Sequence, residues 1–164
     1  MTSTRKALIL ALFLTAAVLN TGCGSGPSNS NASANSNEAK ASSNSTKTNV
    51  EELGMLINVP YESEEVFWRD DQQHKKLVAV LRFSQPEANR LIADAQKVRP
   101  PQQVSINPES WFPPELVAQS DTSGDDTLNG KSYAANSFFQ DPYNDGRIIK
   151  IDDSDYFILE LNAK

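Results

Sequence analysis

The chain has 164 residues and a formal net charge of −6, which leaves room for one domain with tails and excludes a large multidomain enzyme. Charged residues make up 22% and mean hydropathy is −0.48, so a polytopic membrane protein is excluded as well. One Cys and one His can form neither an internal disulfide nor a thiolate zinc site.

Residues 1–22 have the pattern of an export signal rather than of folded structure. Arg5 and Lys6 precede the apolar run 7–19, ALILALFLTAAVL, interrupted only by Thr15. That run is shorter than the ~20 residues of a membrane-spanning helix and sits directly behind positive charge, as in a cleaved signal peptide. The alternative is a retained anchor helix, which the polar residues from Asn20 onward disfavour.

The run leads into Leu19, Asn20, Thr21, Gly22 and Cys23. This stretch resembles the lipobox of bacterial lipoproteins processed by the type II signal peptidase, in which an aliphatic residue and two small residues precede an invariant Cys. Thr21, Gly22 and Cys23 fit that pattern; Asn20 departs from it, and Leu19 stands one place early. The resemblance covers residues 1–23 alone. It implies cleavage before Cys23, a diacylglycerol thioether on its sulfur and an acyl chain such as palmitate on its new amino group. Two or more chains give stable membrane anchoring where one does not. The expected place is the cell envelope, the outer membrane or facing the periplasm if the host has two membranes, since Gly24 is not the Asp that retains such proteins in the inner membrane.

Residues 24–48 contain eight Ser, five Asn and four Ala, with no Val, Leu, Ile, Met or aromatic residue. Such a segment buries too little apolar surface to offset the entropy of ordering, so residues 23–48 are expected to be a disordered tether on the lipidated Cys23. Twenty-five residues of this kind span roughly 25–30 Å on average and at most about 85 Å.

Residues 49–164 differ in kind and predict a single acidic α+β domain. They hold twelve of the thirteen aromatic residues, enough for one core without staples. From Val50 onward 20 acidic residues oppose 11 basic ones, a balance that disfavours nucleic acid and an anionic lipid surface. A strand is expected at 65–69, then a polar loop at 70–75. The run 76–83, KLVAVLRF, is apolar on both faces except at Arg82 and suits a central strand.

A helix follows at about 85–98. Ser84 and Glu87 have the spacing of a capping box, and Pro86 falls in the first turn. Ala88, Leu91, Ile92, Ala95 and Val98 form one apolar stripe, with Glu87, Arg90, Asp94 and Lys97 opposite. Pro100 and Pro101 stop it. A short strand is expected at 103–106 and helical turns at 114–119 and 134–139. The end reads as a β-hairpin, 147–151 and 156–161, around the turn DDSD. In its second strand Phe157, Leu159 and Leu161 face one way and Tyr156, Ile158 and Glu160 the other. The expected architecture is therefore a mainly antiparallel sheet with one main amphipathic helix. This layout is similar to that of small exported bacterial domains with no assigned activity, a likeness that transfers no functional residue.

Three chemistries are open to the domain. For catalysis, the only His, His74, lies in the polar stretch DDQQHKK, and no G-x-S-x-G, P-loop or G-x-G-x-x-G is present. For metal, Asp141, Asp145, Gly146, Ile148 and Asp152 fall at places 1, 5, 6, 8 and 12 of a calcium loop. Pro142 and Tyr143 interrupt it, and a second acidic set (Asp121, Asp125, Asp126, Asn129) is off-template; ordinary turns account for both. For recognition, Trp111, Phe112, Pro113 and Pro114 set two large rings against two prolines. They form a possible binding surface, unless they only cover the end of the core; Trp68 and Tyr133 invite the same choice. The reading is a non-catalytic interaction or assembly module with no cofactor and no metal, its partner a protein or envelope polymer. The alternatives are a small hydrolase using carboxylates, or a ligand-binding domain with a pocket of Phe138, Phe139 and Tyr143.

Overall fold

A computed structural model describes residues 45–164 apart from Asp125. The expected signal peptide, the expected lipidation at Cys23 and the expected tether as far as residue 44 lie outside the described residues.

Helix α1 (Val50–Gly54) is followed by strands β1 (Ser63–Asp71) and β2 (Lys76–Phe83), helix α2 (Gln85–Gln96), strand β3 (Gln102–Ile106) and helix α3 (Pro114–Ser123). Strand β4 (Leu128–Ala134), a 3-10 turn (Asn136–Phe138) and strands β5 (Tyr143–Ile151) and β6 (Tyr156–Ala163) complete the domain. The strands form one antiparallel sheet in the order β1-β2-β6-β5-β4-β3. This is an α+β fold that closes on a C-terminal hairpin. The last strand lies in the middle of the sheet, between β2 and β5, so the chain's end is part of its centre.

Alternation along the strands builds two cores. Leu77, Ala79, Leu81 and Phe83 of β2 join Phe157, Leu159 and Leu161 of β6 on one face. There they meet Ala88, Leu91 and Ala95 of α2 and Leu53 of α1. Val78, Val80, Ile149, Ile151 and Ile158 point to the other face, where Phe112 and Leu116 cover them. A central strand apolar on both sides is the consequence of helices on both sides.

Several local expectations change. Ser84 is the N-cap of α2, but its side chain makes no capping bond. The Glu87 carboxylate instead pairs with Arg90 at 3.1 Å and accepts the Glu62 N–H at 3.3 Å, so tertiary partners outcompete the box. Val98 is 58% exposed, because the helix ends at Gln96 and residue 98 no longer follows its phase. Helix α3 is a full element of ten residues on the opposite face, not a short turn. α1 and β4 carry no strong periodic signal in the sequence. Chain contacts also begin before residue 49: Lys47 pairs with Trp68 at the β1 edge.

Candidate functional site

The Trp111–Pro114 segment closes one end of the α3 face. Pro113 occupies the N-cap of α3, and Pro114 starts the helix at a position whose N–H has no intrahelical partner. Phe112 is buried among the sheet residues beneath, whereas Trp111 is half-buried at its margin. Their rings meet edge to face with centroids 4.8 Å apart, so Phe112 is a core lid and Trp111 the wall beside it. The Trp111 indole N–H donates to the Glu109 carboxylate at 2.7 Å. The Arg69 guanidinium lies 5.0 Å from the centre of the same ring. Arg69 in turn donates from Nε to the Thr46 hydroxyl at 2.9 Å, which ties the groove's wall to the incoming chain.

Trp111 walls a small groove of about 190 Å³ together with Arg69, Asp71, Lys76, Val78 and Glu109. Lys76 also borders a second groove of about 460 Å³, with Arg99, Gly146, Arg147, Glu160 and Asn162. The sheet dictates this meeting. Lys76, Arg147 and Glu160 occupy the half of the α3 face that α3 itself does not cover, and cross-strand register sets Arg147 opposite Glu160 and Lys76 opposite Asn162. Arg147 Nε donates to one Glu160 oxygen at 2.6 Å and Lys76 Nζ to the other at 3.3 Å. Burial pushes the Glu160 carboxyl up, but the hydrogen bond from Arg147 and the charge of Lys76 outweigh it and hold the group below its ordinary range. Arg99, exposed at the exit from α2, reaches the Tyr133 carbonyl at 3.4 Å. None of these four charged residues belongs to a sequence motif; cross-strand register and the exit from α2 bring them together.

The other candidates fall into structural roles. Trp68 is fully buried and Tyr133 4% exposed, so both are core. Phe138 and Tyr143 belong to the same core cluster, against which Phe139 packs; they fill space instead of lining a pocket. Burial and a hydrogen bond to Asp70 push the Tyr143 hydroxyl far above its usual range. His74 sits exposed in the β1–β2 turn, its ring nitrogen 2.6 Å from Asp71. The adjacent carboxylates Glu64 and Glu65 both hold Arg82, at 3.3 and 2.9 Å, and the Tyr156 hydroxyl donates to Glu65. Burial and that bond push Tyr156 up to about 12.

The calcium-loop spacing is drawn out straight. Residues 143–151 form strand β5, and Ile148 is fully buried in it. Asp145 and Asp152 are thereby roughly 20 Å apart along the strand, too far to enclose one ion. Of the second acidic set, Asp121 is on α3 and Asn129 on β4, while Asp125 lies outside the described residues. Among the described residues no group of three His, Cys, Asp or Glu is placed to hold a metal. Among the described residues the exposed large apolar side chains are Val50, Met55 and Val98. Among the described residues no helix is long and apolar enough to cross a membrane.

No protein-family model, curated protein or solved structure matches the chain.

Proposed function

We propose that the protein is a lipid-anchored component of the bacterial cell envelope. Its leader is removed, Cys23 carries the lipid, and residues 24–44 set the domain at a distance from the bilayer. The domain acts by binding rather than by catalysis, holding or assembling a protein or envelope polymer. The observation that carries this reading is the Trp111-walled groove. It presents a half-buried ring, flanked by the cations Arg69 and Lys76, at the edge of the core. A ring of that kind offers large contact area at little entropy cost, and Arg beside it adds directional donors.

Mass spectrometry of the mature amino terminus tests the anchor. A diacylated or triacylated Cys23 is expected; an unmodified terminus, or a chain still starting at Met1, overturns it. Affinity capture from detergent-solubilised envelope, wild type against Trp111→Ala, tests the binding role. Capture of a defined partner that drops at least tenfold in the variant supports it. Capture equal in both sinks the groove as the contact surface.

A further inference from the structure

The geometry points to a specific ligand chemistry for the second groove: Lys76, Arg99 and Arg147 together bind a phosphate monoester group. This deepens the binding reading above and rests on it for the premise that this face of the sheet meets a partner.

The domain as a whole is strongly acidic, yet here three cations converge around one carboxylate. Glu160 sits between Lys76 and Arg147 and fixes both head groups in place. Arg147 spends only its Nε–H on Glu160; a guanidinium carries five N–H donors, so a fork remains for a second oxyanion. Arg99 makes a single long bond to a carbonyl, and among the described residues it has no carboxylate partner. Asn162 contributes an uncharged amide at the rim. Gly146 leaves its side of the groove without a side chain, at a φ of 149° that favours glycine.

The charge count chooses the anion. Three cations less one carboxylate leave two positive charges. A phosphate monoester carries about −1.5 to −2 at neutral pH, whereas a carboxylate would neutralise only half. Arg forks match phosphate oxygens bidentately, with Lys as a point charge beside them. The volume of about 460 Å³ admits the phosphate with part of the group that bears it. Because the groove is open to water, binding is salt-sensitive. The domain's net negative charge opposes an anionic bilayer, so a phosphate on a soluble or polymeric partner fits better than a lipid headgroup.

The test uses the full chain in neutral detergent, titrated with inorganic phosphate in a phosphate-free buffer and followed by NMR of the amides of residues 99, 146, 147 and 160. Saturable shifts are expected, weakening about tenfold in Arg99→Gln and in Lys76→Gln, the loss of one charge-assisted contact each. Arg99 is exposed, so its replacement leaves the core intact, and a matching melting curve confirms that. Vesicles of phosphatidylcholine with and without phosphatidate locate the source. Equal binding to both assigns the site to a non-lipid phosphate; stronger binding to phosphatidate, lost in Arg99→Gln, assigns it to a headgroup. Both support the site. It is overturned if phosphate produces no saturable shift, if Arg99→Gln titrates like wild type, or if acetate binds as well as phosphate. Loss of partner capture with phosphate binding intact strikes the binding role alone, and the converse strikes the ligand alone.

Discussion

Lys47 and Trp68 exchange two backbone hydrogen bonds, at 2.9 and 2.8 Å, while the Lys47 ammonium lies 4.6 Å from the centre of the Trp68 indole. The same indole donates its N–H to the Asn49 carbonyl at 3.0 Å. The incoming chain is therefore fastened to the outer edge of β1, one hydrogen-bonded pair beyond the sheet proper. Pairing there occupies donors and acceptors of an edge strand that would otherwise face solvent.

Deletion of residues 45–48 removes those two ladder bonds, the Thr46 acceptor of Arg69 and the cation over Trp68. A loss of about 1–3 kcal/mol in unfolding free energy is expected, relative to a chain shortened only as far as residue 44. Urea denaturation of the two lengths measures it. Identical midpoints would show that the edge pairing contributes nothing.

Phe112 and Trp111 are neighbours with different expected costs. Phe112 is 6% exposed, and Phe112→Ala should cost about 3–5 kcal/mol, the usual price of a large core truncation. Trp111→Ala should cost less, about 1–2 kcal/mol, because part of the ring already faces the groove. Paired denaturation curves decide. Equal losses would make Trp111 a core lid like its neighbour and remove it as a contact residue.

Gly146→Ala should be among the most damaging small changes. A Cβ at Gly146 would run into the Glu160 carbonyl oxygen and the Leu161 side chain, and φ is 149°. The strand departs from regular register between Tyr143 and Asp145, and glycine just after it lets β5 come close to β6. A loss of at least about 2 kcal/mol is expected from strain and clash together. Gly54→Ala, in a helix with nothing within 4 Å of the added carbon, is the control and should be neutral or slightly stabilising. Similar losses at both sites would contradict the assigned geometry.

The strands 76–83 and 156–161 were legible because their composition is strongly β-forming and their alternation assigns faces. Phe157, Leu159 and Leu161 do lie in one core, and Tyr156 and Ile158 in the other. β4 was not legible. Leu128–Ala134 contains Asn129, Gly130 and Lys131, weak strand formers, and its place is set by close packing: a Cβ at Gly130 would meet the Lys150 carbonyl. The sheet's order could not be read either, since strand adjacency across long connections is a tertiary choice. The groove was half legible. The hairpin around residues 152–155 already places Arg147 opposite Glu160, but joining Lys76 to that pair requires knowing that β6 inserts beside β2. Arg99 arrives from the end of α2, for which the sequence offers no register at all.

Glu160 gives the groove a pH signature. Its carboxyl is held below its ordinary value of 4.5 by Arg147 and Lys76, against the opposing effect of burial. A group depressed in the folded state contributes stability that is fully present above its unfolded value and is lost as pH falls through the folded value. Wild type should therefore lose stability from about pH 5 downward, in part through this one group. Glu160→Gln removes that contribution. It should be less stable at pH 7, by about 1–2 kcal/mol after allowance for partial exposure, and the gap should narrow as the pH approaches 3. The same change leaves Lys76 and Arg147 without their shared anion, so added phosphate at pH 7 should raise the variant's melting temperature by more than it raises that of wild type. Thermal melts at pH 3 to 7, with and without phosphate, measure both effects. A gap that stays constant with pH would show that the pair contributes nothing through ionisation, and a variant indifferent to phosphate would show that the two cations do not act on the same anion.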